Sequence, residues 1–446
     1  MRVLCTMYSI TQLRLQREAS TVRLRAYSDT GRIALCKAQN HYDTPRANLR
    51  PRKSSMSGQS ASHTPHQPLR LAIIGGGPTS WIGGMHRRAA RFDGQWQVVA
   101  GVFSSKADRS HDAAALMGLD ATRGYADVAR MLASEGVRED GIDAVAIMSP
   151  NDTHYPYCVA ALDAGLDVIC DKPVSTTAAE ARDLAARAQA KNRVLCVTHG
   201  YSAYPMTRHA KQLVADGAIG PVRFVQVEYI QSGLAKPIEQ GAMTDSQRWK
   251  FDASRSGLAL VFSAIGCHAQ HLACNVSGLQ IASVSADVGA LMPGRTVVDT
   301  VLANLRFDSG ARGQYTITQA AAGGENDIRL RIYGERGLID WSHREAAYLH
   351  LNIEGETART LGRGDVNLPP EIAKLSRTPR GHPEGLLEAF ANVYREAAEA
   401  IVARRNDQMI ANVSYPTIGD AVHSMAFIEA CVASSANNGV WTTVVR

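Results

Sequence analysis

From Leu69 onward, short apolar and β-branched runs alternate with amphipathic stretches. LRLAIIG, WQVVAGVF, DAVAIMSP, DVICDKP and VLCVTHG are the runs. Between them, segments such as 178–191 place Ala181, Leu184, Ala185 and Ala188 at three- and four-residue spacing, which is one face of a helix. Continuous apolar strands joined by helices imply right-handed crossovers and a parallel sheet covered on both faces. A doubly wound α/β domain is therefore expected over residues 69–198.

After Tyr204 the pattern changes. A helix over 204–216 leads to VRFVQVEYI, and a helix over 258–276 precedes two pairs of alternating runs, VLANLRF with RGQYTIT and IRLRIYG with LIDWSH. The glycine-containing breaks, DSGA and ERG, are hairpin signals. Residues 199–446 are thus expected to form an α+β domain with a large, mostly antiparallel open sheet and closing helices at 383–405 and 419–435. Residues 1–68 carry no sustained apolar period and end in SSMSGQSASHTPHQP. They are expected to be a poorly ordered extension: an upstream leader before a working start at Met56, with an organelle transit peptide as the alternative.

Composition narrows the class. Hydrophobic residues make up 45%, charged residues 20% and aromatics 6%, which excludes collagenous, coiled-coil and wholly disordered chains. The longest apolar runs, such as 258–265, fall short of the roughly 20 residues that span a bilayer, so no membrane association and a cytoplasmic location are expected. Eight cysteines include no C-x-x-C pair, which argues against a disulfide scaffold, a zinc ribbon or any bound metal. The net charge of +6 is concentrated in residues 1–68, which hold 11 Lys/Arg against 3 Asp/Glu; the remainder carries −2, so nucleic acid is not an expected partner.

The stretch LRLAIIGGGPTSWIGGMHRRAARF runs from strand through glycines into helix. Gly75 suits the tight turn, Gly77 the approach of backbone to a pyrophosphate, and Gly83 serves as third glycine if Pro78 to Ser80 are an insertion; the context points to dinucleotide binding. The second strand ends in GVFSSKADR rather than in an acidic residue. Ser104, Ser105 and Lys106, with Arg109, suit a ribose 2′-phosphate, so NAD(P) is expected with NADP favoured. SPNDTHY and CDKPVS lie at carboxyl ends of strands, where ligands of such sheets bind. Proline after Lys172 fixes the backbone that holds its ammonium.

The glycine turn, SPNDTH, CDKP and the later IGCHAQHLA together resemble the Gfo/Idh/MocA family over residues 69 to about 437. The most specific match sets CDKP on the family's E-K-P motif, with Asp171 in the Glu place and Lys172 in the place of the catalytic lysine. The resemblance implies a Rossmann domain joined to an open antiparallel sheet domain, and a nicotinamide cofactor at their interface. It implies an enzyme that oxidises or reduces a sugar, a polyol or a related hydroxy or keto compound, forming a dimer or tetramer. Pro150, Asn151, His154 and Asp171 would lie at the cofactor, with Lys172 by the reacting hydroxyl. His268 matches the histidine of the family's D-x-x-x-H motif, but the aspartate four residues earlier is replaced by Ala264. Longer members of the family further imply Tyr201 in THGYSAYPM, Trp249 and Lys250 in QRWKFDASRSG, and His382 in RGHPEGLLEAF as substrate residues. Their plainer readings are a helix staple, a core tryptophan and a loop histidine. Two alternatives stay open: a glycoside-cleaving enzyme that oxidises its sugar transiently, and a cofactor-binding relative impaired by Ala264.

Overall fold

The computed structural model describes residues 17–18, 21–22, 67–104, 106–243, 248–256, 260–408 and 413–445. Before residue 67 these include one short antiparallel pairing, Arg17 with Val22 and Glu18 with Thr21. The expected extension therefore lies almost wholly outside the described residues, as does Ser105.

Five parallel strands form the first sheet: β1 (Leu69–Gly75), β2 (Trp96–Val102), β3 (Ala144–Met148), β4 (Asp167–Cys170) and β5 (Leu195–Val197). Their order is β2-β1-β3-β4-β5. Every residue of β3 and β4 is buried, which is why those runs read as unbroken apolar stretches. The crossovers include α1 (Trp81–Phe92), α2 (Ala107–Leu116), α3 (Val128–Glu135), α4 (His154–Asp163) and α5 (Ala178–Ala190). Thr177 caps α5 reciprocally with Glu180, and Ala181, Leu184 and Ala188 form its buried face as their spacing predicts. Ala185 is only half-buried.

The chain then enters α6 (Pro205–Ala215), with proline in its first turn, and β6 (Val222–Ile230). The expected helix over 258–276 is not uniform. Phe262–Gly266 form a π-turn before α7 (Cys267–Ser277), and residues 257–259 lie outside the described residues. The π-turn widens the backbone and turns two of its carbonyls toward the parallel sheet.

The second sheet adds β7 (Ile281–Gly289), β8 (Thr300–Phe307), β9 (Arg312–Thr318), β10 (Asp327–Gly334), β11 (Gly337–Ser342), β12 (Tyr348–Ile353), β13 (Arg359–Gly362) and β14 (Thr442–Thr443). Its order is β13-β12-β11-β10-β6-β9-β8-β7-β14. All pairings are antiparallel except β6 with β9, where Gln226 faces Gln314. Both expected hairpins are present, β8 with β9 and β10 with β11.

Two long helices close the chain, α8 (Leu386–Arg405) and α9 (Ile418–Ala436), and both reach back to the parallel sheet. Trp96 Nε1 donates to the Tyr394 carbonyl at 2.9 Å, and the backbone N–H of Val197 donates to Pro416 O at 2.9 Å. Arg404 Nη2 donates to buried Asp167 Oδ2 at 2.8 Å, while Asp167 Oδ1 accepts from Val194 N at 2.8 Å. α9 also holds the second sheet, through Ser434 Oγ, which accepts from Ala286 N at 2.9 Å.

Because Asp167 is buried, removing Arg404 leaves its carboxylate with only the Val194 N–H and the charge of Arg193 inside the sheet. Arg404→Ala should cost about 3 kcal/mol of unfolding free energy while nucleotide affinity in the folded protein stays unchanged, as urea titration and calorimetry would measure.

Candidate active site

The site is built from the carboxyl ends of the parallel strands, with the π-turn and α7 above them. β1 ends at Gly75, whose φ of +85° and tight packing suit glycine; a Cβ there would sit 2.8 Å from Met148 O. Gly83, three residues into α1, packs on the turn so closely that a Cβ would lie 2.3 Å from Gly76 O. Gly77 differs: a Cβ would meet only Phe103 O, at 3.4 Å, so this part of the loop is open. Ser80 caps α1 by accepting from Gly83 N at 3.1 Å. A loop with open backbone at a helix N-terminus fits a dinucleotide pyrophosphate. Beyond β2, Ser104 Oγ accepts from Lys106 N at 3.2 Å, and Lys106 and Arg109 are exposed.

His154 ties two loops together. Its Nδ1 lies 2.7 Å from Pro173 O and its Nε2 2.8 Å from Ser149 O, and burial lowers its pKa. Pro150 opens the turn beside it, and Asn151 Nδ2 donates to Ser256 O at 3.0 Å, drawing the segment that carries Trp249 and Lys250 over the SPNDTH loop. Asp152 and Arg255 pair at 3.1 Å across the same contact.

Asp171 sits beneath Lys172. Its Oδ1 accepts from Lys172 N and from Thr198 Oγ1, each at 2.9 Å, and lies 3.9 Å from His86 Nε2. Burial alone would raise its pKa, but interaction with His86 and the charge of Lys172 outweigh that and hold the carboxyl well below the usual range. His86 is fixed from its other side by the Tyr394 hydroxyl, 2.7 Å from Nδ1. The Lys172 ammonium donates to two carbonyls of the π-turn, Ser263 O at 3.0 Å and Ala264 O at 2.7 Å. Two backbone dipoles thus hold the cation at the position whose side chain, Ala264, has no charge.

His268 follows on α7, buried, with Tyr201 edge-on at 5.0 Å between ring centroids. Burial first, and then the charge of Lys172, push its pKa well down, so its imidazole is neutral near pH 7. Behind Tyr201 lies a polar array. Its hydroxyl is 2.6 Å from Tyr229 OH, Tyr229 OH donates to Asn326 Oδ1 at 2.8 Å, and Gln319 Nε2 donates to Gln231 Oε1 at 2.9 Å. Lys250 approaches from the overlying segment. Although much of its side chain is open to solvent, crowding and the Lys172 charge lower its pKa, and its Nζ lies 6.0 Å from the Trp249 ring.

The structure therefore gathers Lys172, His268, Tyr201 and Asp171, with Trp249 and Lys250 on the segment above. His382 is exposed on a loop, where its carbonyl accepts from Arg363 and Thr378. Sequence reasoning missed His86, Thr198, His199, Tyr229, His271 and Asn326. Only His271 carried a local signal, the i, i+3 spacing of HAQH on one helix face. Among the described residues, no group of three or more His, Cys, Asp or Glu side chains is arranged to hold a metal, and no helix is long and apolar enough to cross a membrane.

Residues 69–199 match the oxidoreductase family with NAD-binding Rossmann fold, and residues 207–340 match the GFO/IDH/MocA C-terminal domain. An uncharacterized oxidoreductase of Bacillus subtilis is 33% identical, over 84% of this chain and 96% of its own. A crystal structure of an oxidoreductase from Sinorhizobium meliloti is 38% identical with a TM-score of 0.76, covering 84% of this chain and 99% of that one. An inositol dehydrogenase homolog from Azotobacter vinelandii in complex with NAD+ is 32% identical with a TM-score of 0.81, covering 84% and 97%. With its glycine turn, its Lys172 on the E-K-P position and its open second sheet, the chain belongs to the Gfo/Idh/MocA family of oxidoreductases.

Three neutral rings at this site make stability depend on pH. His199 and His268 are pushed well below the ordinary histidine range by burial, and His271 is pushed down to about 3 by burial and the charges of Arg208 and Lys211. Each ring stays neutral in the folded chain but takes a proton near pH 6.5 once unfolded. Below that pH the unfolded state binds the extra protons, and folding loses about 1.4 kcal/mol per pH unit for each ring. Urea unfolding at pH 7, 6 and 5 should show this loss, and His271→Phe should reduce the slope by about one such increment. An unchanged slope would mean that His271 is already protonated in the folded protein.

Proposed function

We propose that this chain is a nicotinamide-dependent dehydrogenase acting on a carbinol or carbonyl carbon of a polyhydroxylated, sugar- or polyol-like substrate. The observation that carries the reading is the Lys172 ammonium held on two π-turn carbonyls beside a neutral His268. The Azotobacter vinelandii homolog has been crystallised with NADH and myo-inositol, which supports a polyol as the substrate class. The array of Tyr201, Tyr229, Asn326, Gln231 and Gln319 offers the alternating donors and acceptors that hydroxyl groups require.

Gly75, Gly77 and Gly83 would hold the cofactor's pyrophosphate, with Pro150, Asn151 and His154 at its nicotinamide end; when bound, the cofactor supplies the hydride acceptor or donor. The protein's own groups manage the oxygen and its proton. Lys172 is bound as a donor to two acceptors, so it acts as a fixed cation that polarises the substrate oxygen. His268, neutral, takes the hydroxyl proton during oxidation and returns it during reduction. Ser104 and Lys106 at the end of β2 favour NADP over NAD. The exposed face of the second sheet, on which Leu302 is half-exposed, is the surface through which copies of the chain would associate.

Lys172→Ala should retain nucleotide binding and lower turnover by roughly 10² to 10⁴. Ala264→Asp, one helical turn from His268, should raise the histidine pKa and move the pH optimum upward. A harmless Lys172→Ala in an active enzyme would refute its role. An inactive natural protein that Ala264→Asp makes active would be a binding relative. Calorimetry should find NADP bound more tightly than NAD, and NAD binding tenfold tighter, about 1.4 kcal/mol, would reverse the preference.

A further inference from the structure

His268 does not stand alone. His199, from the exit of β5, meets it edge-on at 5.6 Å and 88°, and stacks on His271 of α7 at 4.3 Å and 10°. His271 Nε2 lies 4.0 Å from Asp420 Oδ2, and the Asp420 side chain is 32% exposed at the N-terminal turn of α9. The three rings thus run from the reacting centre to a carboxylate that reaches solvent.

Packing alone does not explain their chemistry. His268 Nδ1, His199 Nδ1 and both nitrogens of His271 are buried without a protein partner. Leaving such an atom unpaired costs about 1–3 kcal/mol, so a column serving only as core would be better built from phenylalanine or leucine. Polar, enclosed nitrogens in series are the lining that buried water requires. The charged groups around the column are Lys172 and Asp171 at its inner end, Arg208 and Lys211 beside His271, and Asp420 at its outer end. Arg208 is paired with Glu396 at 2.8 Å.

We propose that His199 and His271, with intervening ordered waters, relay the substrate proton between His268 and Asp420, supplying the outlet that Ala264 cannot. The proposal rests on the dehydrogenase reading. As substrate loses hydride, its O–H bond breaks and the proton passes to His268. His268 releases a proton from its other nitrogen through water to His199, and the same exchange through His271 delivers one proton to Asp420 and solvent. Reduction runs the column inward. Each ring gains one proton as it gives one up, so no imidazolium accumulates. The near-parallel stack of His199 on His271 lets no direct hydrogen bond form between them, which makes the bridging water a requirement.

A high-resolution crystal structure of the protein with bound NADP, without substrate, tests the wire. Ordered waters should link His268 Nδ1, both nitrogens of His199 and both of His271 to Asp420 in an unbroken chain, and a dry or interrupted column would overturn the proposal whatever the substrate proves to be. In turnover with myo-inositol or another polyol that the natural protein oxidises, His271→Phe keeps the stack but removes its nitrogens. It should lower kcat at least tenfold with KM and nucleotide affinity unchanged, raise the solvent isotope effect, and be partly rescued by added imidazole. Unchanged kcat and isotope effect would overturn the relay. If His271→Phe does not fold, Asp420→Asn keeps the helix cap, and its kcat should likewise fall with a raised isotope effect. If no polyol is oxidised, the dehydrogenase reading fails, and the water chain alone decides whether the conduit exists.

Discussion

The hydrogen bonds from Lys172 Nζ to the carbonyls of Ser263 and Ala264 join the two halves of this protein at its chemical centre. They combine a strand end that delivers the lysine with a π-turn whose carbonyls of Ser263 and Ala264 face it. Backbone carbonyls do not titrate, so these two acceptors do not themselves change with pH. A carboxylate would add a titrating partner, and that is the group Ala264 omits.

Burial and charged neighbours together set the charge states around this contact. Asp171 remains ionised beneath the lysine because His86 and the Lys172 charge overcome its desolvation. The histidines take the opposite course: the charges of Asp171 and Asp420 do not offset the burial of His199 and His268, and all three rings stay neutral. One cation held on backbone carbonyls beside neutral imidazoles is the arrangement on which the proposed division rests, with Lys172 polarising oxygen and His268 moving the proton. The closing helices complete the arrangement. Tyr394 of α8 fixes His86, and Asp420 of α9 faces His271.

Much of this was legible in the sequence because local pattern and tertiary role coincide there. The apolar runs of β1, β3 and β4 read as buried strands since both their faces are covered, and the Gly83 contact follows from allowing for Pro78 to Ser80. Lys172 and His268 stand out because their motifs are contiguous. His86, Asn326 and Tyr394 were invisible: each is an ordinary residue of a helix, loop or helix face, brought to the site by contacts across more than one hundred residues of chain. The π-turn was also hidden, since periodicity alone reads residues 258–276 as one helix. His382 is the converse case, a conspicuous residue in a conspicuous motif whose side chain the fold leaves exposed.

The proposed chemistry makes His268 the base and Lys172 the group that polarises the substrate oxygen. The pH dependence of kcat/KM for polyol oxidation by the natural protein, measured from pH 5 to pH 10, tests it most directly. A level region from about pH 6.5 to pH 8 is expected, because a histidine whose pKa is pushed below its ordinary value near 6.5 is already neutral there. A profile that keeps climbing through pH 9 to 10 would make the neutral amine of Lys172 the base and contradict the account.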